Sequence, residues 1–296
     1  MSTPFTSAQT ANAPVRLPPA NFSKWLKAIR RDAFGILMLV ALFIVIIGPM
    51  IAVILWAFTQ PGGWRYPSLI PTRWGLNYWA DTLMRADVTR ALPLSIGLAT
   101  VVTALSAAIC LPAAYAFARM NFPGRQALLL SFLATNAFPR FGLYISIAII
   151  FFRLGLIATI PGVILIQIVN TLLLMIWIPT SAFQGVDRTL EEAALDVGAS
   201  RVRVFLQVTL PLVLPALAAA LLLTFVSTFY EAQGALLIGI PNVITMPVLM
   251  YDIINSQPEP QYGAVISLVL WLPSLLLLLF AQRFVRGGAI SAGFGV

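Results

Sequence analysis

The chain has no histidine, one cysteine (Cys110) and only two lysines (Lys24 and Lys27) among its 296 residues. Each shortage closes a class of chemistry. Without histidine, no Ser-His or Cys-His nucleophile pair can be assembled, and a lone cysteine supports neither a disulfide nor a Cys/His metal cluster. Neither lysine follows the glycine spacing of a phosphate-binding P-loop, so ATP hydrolysis of that kind is excluded too. Charge is equally scarce: 9% of residues are charged, against about 25% in soluble domains. With 60% hydrophobic residues and a mean hydropathy of +0.93, the composition is that of an integral membrane protein.

What the chain does have is long apolar runs. A helix needs roughly 20 apolar residues to cross the hydrocarbon core. About six segments qualify: 34–58, 93–117, 127–152, 161–180, 212–235 and 262–282. The fold class expected is therefore all-α, a polytopic protein with six transmembrane helices. The first run follows Lys24, Lys27, Arg30 and Arg31, as in a signal peptide, but it is too long and lacks a small-residue cleavage site, so it reads as a retained anchor. The domain reading is a disordered or amphipathic tail at 1–30, a transmembrane domain at 31–285 containing a polar loop at 186–211, and a second tail at 286–296.

The positive-inside rule gives an orientation. With the N-terminus inside, twelve of the eighteen basic residues fall on cytoplasmic segments, among them Arg119, Arg125, Arg188, Arg201 and Arg203. Five lie outside, and Arg140 falls within a run. Both termini and the 186–211 loop are then cytoplasmic. The net charge of +8 follows from this bias and from anionic lipid, which leaves a nucleic-acid partner without support.

The loop is the one charged stretch wedged between apolar runs. Thr189 followed by Glu192 reads as a capping box, Gly198 as a helix stop and Ser200 as the cap of a second short helix over 201–207, with Pro211 opening the next long segment. Leu190 and Val197 offer apolar contact beside the small residues Ala193, Ala194 and Gly198, a pattern that suits close approach to a partner surface.

Charges within apolar runs cost roughly 2.5–3.5 kcal/mol on insertion scales and mark bundle interiors or polar paths. Arg140, after Pro139, and Glu231 are the two such residues; pairing with each other, lining a solute path and sitting near the interface are all open to them. Asn136, Asn170, Gln167, Ser227, Thr228, Tyr230 and Gln233 are milder candidates, better suited to hydrogen bonds between helices. The solute-path set is thus Arg140, Asn136, Ser227, Tyr230 and Glu231. Trp56, Trp64, Trp74, Trp79, Tyr66 and Tyr78 follow the first run as an aromatic belt expects. Pro112, Pro139, Pro179, Pro215 and Pro273 are expected to kink their helices, and 236–261 to form a structured turn or re-entrant segment.

Glu192-Ala193-Ala194, Gly198, and then Val208 and Leu210-Pro211 at the matching spacing resemble the EAA motif of binding-protein-dependent ABC importer permeases, with Val208 where that family usually has Ile. Ala113 to Arg119, Phe122-Pro123-Gly124-Arg125 and Leu154-Gly155-Leu156 are similar to the same family, so the likeness covers roughly residues 70–285. The resemblance implies a type I permease fold in a bacterial inner membrane. It implies a second permease subunit, in a heterodimer, two ATPase subunits that bind the ATP and Mg, and an extracytoplasmic solute-binding protein; the permease itself needs no cofactor and is no enzyme. It maps ATPase coupling onto Glu191, Glu192, Ala193, Ala194, Asp196, Gly198, Ala199, Arg201 and Pro211. For the solute, Leu195 to Ser200 and Thr245 to Tyr251 look more like the polyamine, iron and thiamine branch, while Phe117 to Arg125 is also similar to sugar permeases. A polyamine-type solute is the first expectation, a sugar the alternative. A secondary transporter or channel is the reading from another class, although no internal repeat supports it.

Overall fold

The computed structural model describes residues 22–65, 68, 70–134 and 139–285. The chain divides into a unit ending at Ile51 and a unit from Ala52 onward. The described part of the first unit is helical throughout and belongs to α1 (Phe22–Ala57), whose stretch Phe34–Ala57 is 24 residues of nearly unbroken apolar sequence. At 1.5 Å per residue it spans about 36 Å, more than a hydrocarbon core of about 30 Å.

The second unit continues with α2 (Asn77–Leu83), α3 (Ala86–Arg119), α4 (Arg125–Ala134), α5 (Arg140–Arg153), α6 (Ile160–Gln184), α7 (Arg188–Asp196), α8 (Arg201–Val204), a π-helical turn (Phe205–Thr209), α9 (Leu210–Phe229), α10 (Gln233–Gly239), α11 (Met246–Ser256) and α12 (Pro260–Val285). Among the described residues there is no strand beyond one isolated bridge, Thr59 to Trp74. The protein is mostly helical, as its composition demands, and five of the described helices are long and apolar enough to cross a membrane.

Three of them, α3, α6 and α9, pack on one another as the centre of this unit. The contact face of α3 is built from Ala99, Val102, Ser106, Cys110, Ala114 and Ala118, all buried and spaced three or four residues apart. Lipid tails are as apolar as leucine, so helix association in a bilayer depends on close packing; small residues at this period let the backbones approach. Phe183, Val213 and Leu217 close over Ala114 and Ala118, and Met175, Ile176 and Ala220 over Cys110. Two hydrogen bonds pin the pair α3–α6, one between Ser106 Oγ and Thr171 Oγ1 at 2.6 Å and one from the Thr180 hydroxyl to Ala114 O at 3.4 Å. Such interhelical bonds contribute about 0.6 kcal/mol each on average.

Two expected runs fold differently. The run 127–152 is divided into α4 and α5, with Pro139 in extended backbone (φ −56°, ψ 118°) at the start of α5. Proline lacks an N–H and cannot continue a helix from its own N-terminal side without losing a bond. The run expected at 212–235 begins instead at Arg201, because α8, the π turn and α9 are continuous, and it stops at Phe229. Pro211 therefore opens no new helix; it lies in the first turn of α9 within an unbroken rod. Pro112, Pro179, Pro215 and Pro273 lie inside α3, α6, α9 and α12. The expected re-entrant segment is realised as the helix pair α10–α11, whose Ala235, Ile238, Met246, Val248, Leu249 and Ile253 are buried. Three of the expected aromatics make edge-on ring contacts, Trp56 in α1 with Trp64 at 5.5 Å and Tyr78 with Tyr262 of α12 at 4.9 Å; Tyr66 lies outside the described residues.

Candidate functional site

The polar loop folds as the sequence expects in outline and with a different cap. Asp187, not Thr189, opens α7: its Oδ1 accepts from the Thr189 backbone N–H at 3.0 Å. Those hydrogen bonds to Thr189 hold the Asp187 carboxyl below the usual aspartate range. The capping-box reading placed the helix start two residues late; Asp is among the strongest N-cap residues, and it stood in plain view just ahead of Thr189.

Gly198 ends α7 as expected. Its φ is +87°, the left-handed region where a Cβ is penalised. The Gly198 N–H donates to Leu195 O at 2.9 Å and the Ala199 N–H to Ala194 O at 3.1 Å, the paired bonds that close a helix C-terminus around a glycine. Ser200 Oγ then accepts from the Arg203 N–H at 3.4 Å and starts α8. From there the helix runs without interruption into α9 as far as Phe229.

No residue of α7 is buried. Leu190, Ala193 and Val197 fall on one face at helical spacing, and Val197 is 85% exposed. Glu192, Asp196 and Gly198 are exposed with them, Ala194 and Ala199 partly so, and Arg201 and Pro211 are exposed on the following helix.

Glu191 points the other way. Its Oε1 accepts from Arg119 Nη2 at 2.9 Å and from the Thr209 hydroxyl at 2.6 Å, and the same Arg119 nitrogen donates to Val186 O at 3.1 Å. The side chains of Arg119 and Glu191 are only 10% and 17% exposed. One carboxylate thus ties together the end of α3, the root of α7 and the π turn. Sequence reading missed Arg119 and Thr209 as partners in this clamp: Arg119 entered as a topology charge and as the end of a family-like run, and nothing local signals a partner 72 residues away.

The solute-path candidates are brought together only in part. Asn136 lies outside the described residues, and Arg140 is the exposed first residue of α5. Glu231 sits in the break between α9 and α10, buried, where its two oxygens accept from the backbone N–H groups of Gly234 (2.7 Å) and Ala235 (3.1 Å). Its carboxylate thereby satisfies the free donors at the start of α10. Ser227 Oγ accepts from Asn170 Nδ2 at 3.5 Å, and the Tyr230 hydroxyl donates to Leu270 O at 3.1 Å, so these two link α9 to α6 and α12.

Comparison with known proteins places this arrangement of apolar helices in a family. The maltose/maltodextrin transport system permease protein MalG of Yersinia pestis is 29% identical over 291 residues, which cover 90% of this chain and 95% of that protein. The trehalose transport system permease protein SugB of Mycobacterium tuberculosis is 32% identical over 71% of this chain and 78% of its own length. Among solved structures, a bacterial ABC transporter involved in the import of the acidic polysaccharide alginate has the same fold, with a TM-score of 0.67 at 17% identity over 91% of this chain and 100% of that one. The family described as binding-protein-dependent transport system inner membrane component matches residues 100–287, the stretch that carries α3 to α12 and the clamped loop between them, and to that family of multi-pass inner-membrane permeases this chain belongs.

Proposed function

We propose that this chain is a permease subunit of a sugar importer, driven through its α7–α8 loop by separate ATPase subunits and supplied by an extracytoplasmic binding protein. The observation that carries the coupling role is the outward face of α7: Leu190, Ala193 and Val197 stand exposed on a short helix whose other side is fixed by Glu191. An apolar face flanked by Glu192 and Asp196 and ended by a glycine turn suits a groove on a partner. In this reading Glu192, Ala193, Ala194, Asp196, Gly198 and Ala199 meet the ATPase, Glu191 holds the helix in place, and Arg201 passes the displacement along the unbroken rod to Pro211 and α9. Closure of two ATPase subunits would draw two such loops together and rock the permease halves, α4 and α5 forming a broken third crossing and a second permease completing the path.

The solute reading is revised from polyamine to sugar. The polyamine expectation stood on two short sequence runs, whereas relatives aligned over most of the chain carry the names of maltose, maltodextrin and trehalose systems. Uptake of a labelled disaccharide and of a labelled polyamine in cells lacking this chain tests the choice: loss of sugar uptake alone supports it, and loss of polyamine uptake alone reverses it.

Docking is tested at Gly198, where an added Cβ meets nothing within 4 Å, so a large side chain overfills no part of this chain. Gly198→Ala carries only the left-handed backbone penalty of about 1–2 kcal/mol. Gly198→Trp is expected to abolish co-purification of the ATPase and solute-stimulated hydrolysis, while Gly198→Ala keeps most of both. Docking elsewhere is the conclusion if the Trp variant retains them.

A further inference from the structure

Beside the root of α7, where α3 and α6 end, lies a cleft of about 470 Å³ lined by Arg119, Arg125, Gln184, Asp187 and Arg188. It holds three guanidinium groups and one carboxylate, and that carboxylate already accepts from the Thr189 N–H. Arg119 is nine-tenths buried, yet among the described residues the acceptors found for it face Nη2, and its Nε is buried without a partner there. Arg125 reaches Asn121 Oδ1 at 3.4 Å, a long and weak bond. A guanidinium presents five donors in a planar fork that matches phosphate oxygens, so this cleft has donors to spare for an oxyanion.

Two further features decide what carries that oxyanion. The cleft sits at the ends of two apolar helices, Ala86–Arg119 and Ile160–Gln184, which is the depth at which a membrane places its headgroups. Immediately beyond Arg125, α4 exposes Leu128, Leu130 and Leu133. A basic cleft at the start of a helix that exposes leucines matches a molecule with a phosphate at one end and acyl chains at the other, and basic pockets between membrane helices attract anionic headgroups. We infer that the Arg119–Arg125–Arg188 cleft binds the phosphodiester of an anionic phospholipid, whose acyl chains lie along α4. The cleft includes Asp187 and Arg188 at the start of α7 but not Leu190, Ala193 or Val197, and it would place a lipid headgroup against Arg119, which anchors that helix.

The test uses the full chain purified in mild detergent and titrated with phosphatidylglycerol or phosphatidylcholine under native mass spectrometry. Arg119 also holds Glu191, so its loss could unfold the loop; the double variant Arg125→Ala/Arg188→Ala is the informative one. Phosphatidylglycerol is expected to be retained over phosphatidylcholine, and the double variant to lower that retention by about tenfold. The melting temperature should be unchanged, and Arg65→Ala/Arg73→Ala, which removes equal charge elsewhere, should retain the lipid. Equal retention of both lipids, or full retention by the double variant, overturns the proposal. So does saturation of the site by inorganic phosphate without any lipid preference, which would make the ligand free phosphate. Expulsion of the lipid on addition of the ATPase would assign the cleft to a protein interface and overturn it as well.

Discussion

Glu191, in the first turn of α7, and Glu231, in the break between α9 and α10, are both glutamates that accept hydrogen bonds, but from different sources. Glu191 is held by side chains far along the chain, Arg119 and Thr209, 72 and 18 residues away. Glu231 is held by backbone N–H groups three and four residues on. The first is a tertiary clamp between elements, and the second is a local cap inside one. The difference has consequences for what each site can do. A clamp between elements fixes a loop to two helices far along the chain, whereas a cap made chiefly by backbone N–H groups fixes the direction of the next helix. The surroundings fit that division: no residue of α7 is buried, while α10 and the first half of α11 are packed into the core.

Replacing the two glutamates separates these roles, and the largest effect is expected at the clamp. Glu191→Ala leaves the nine-tenths buried Arg119 without its counter-charge, at a cost of about 3 kcal/mol. Glu191→Gln should be nearly as damaging, because an amide offers no charge to the guanidinium. Thermal unfolding of the full chain in detergent, read together with hydrogen exchange over α7, measures both. At Glu231 the expected order is different. Glu231→Ala leaves two buried N–H groups unpaired and costs about 2 kcal/mol, but Glu231→Gln keeps an acceptor oxygen and should recover most of that loss. Equal rescue by glutamine at both positions would break the comparison, since it would mean that Glu191 also acts as a simple acceptor.

The smallest expected effect sharpens the picture of α7 itself. The Asp187 carboxyl is held below its ordinary value, so its cap is fully present above the unfolded value of about 3.9 and is lost as pH falls through the lower folded value. A spin label on Ala193 should therefore grow more mobile with acidification over that range. Asp187→Asn, which keeps the acceptor without titrating, should remove the pH dependence. Persistence of the transition in the Asn variant would place its origin at another carboxylate.

Much of this was legible in the chain. The run 161–180 became Ile160–Gln184 and the run 262–282 became Pro260–Val285, since a bilayer leaves an apolar stretch of this length little choice but to be a helix. The run expected at 93–117 grew at its start to Ala86, because a helix does not end where the hydrocarbon does. Gly198 and Ser200 did what their side chains announce, since caps are settled within a few residues. The division of the third run at Pro139 was visible as a proline, but Pro112, Pro179, Pro215 and Pro273 were equally visible and ended no helix. Which proline breaks a helix depends on what its neighbours pack against, and that information is not in the local sequence.

By itself the sequence determined the membrane class, the position of most spans and the two-helix form of the polar loop, because hydropathy, helical period and capping act over a few residues. Only the tertiary structure decided that Glu191 faces inward while Glu192 faces outward, and that α8 is the first turn of a rod ending at Phe229. It alone brought Arg119, Arg125 and Arg188 to one cleft. Those outcomes depend on the mutual packing of α3, α6 and α9, which sets residues tens of positions apart within hydrogen-bonding distance.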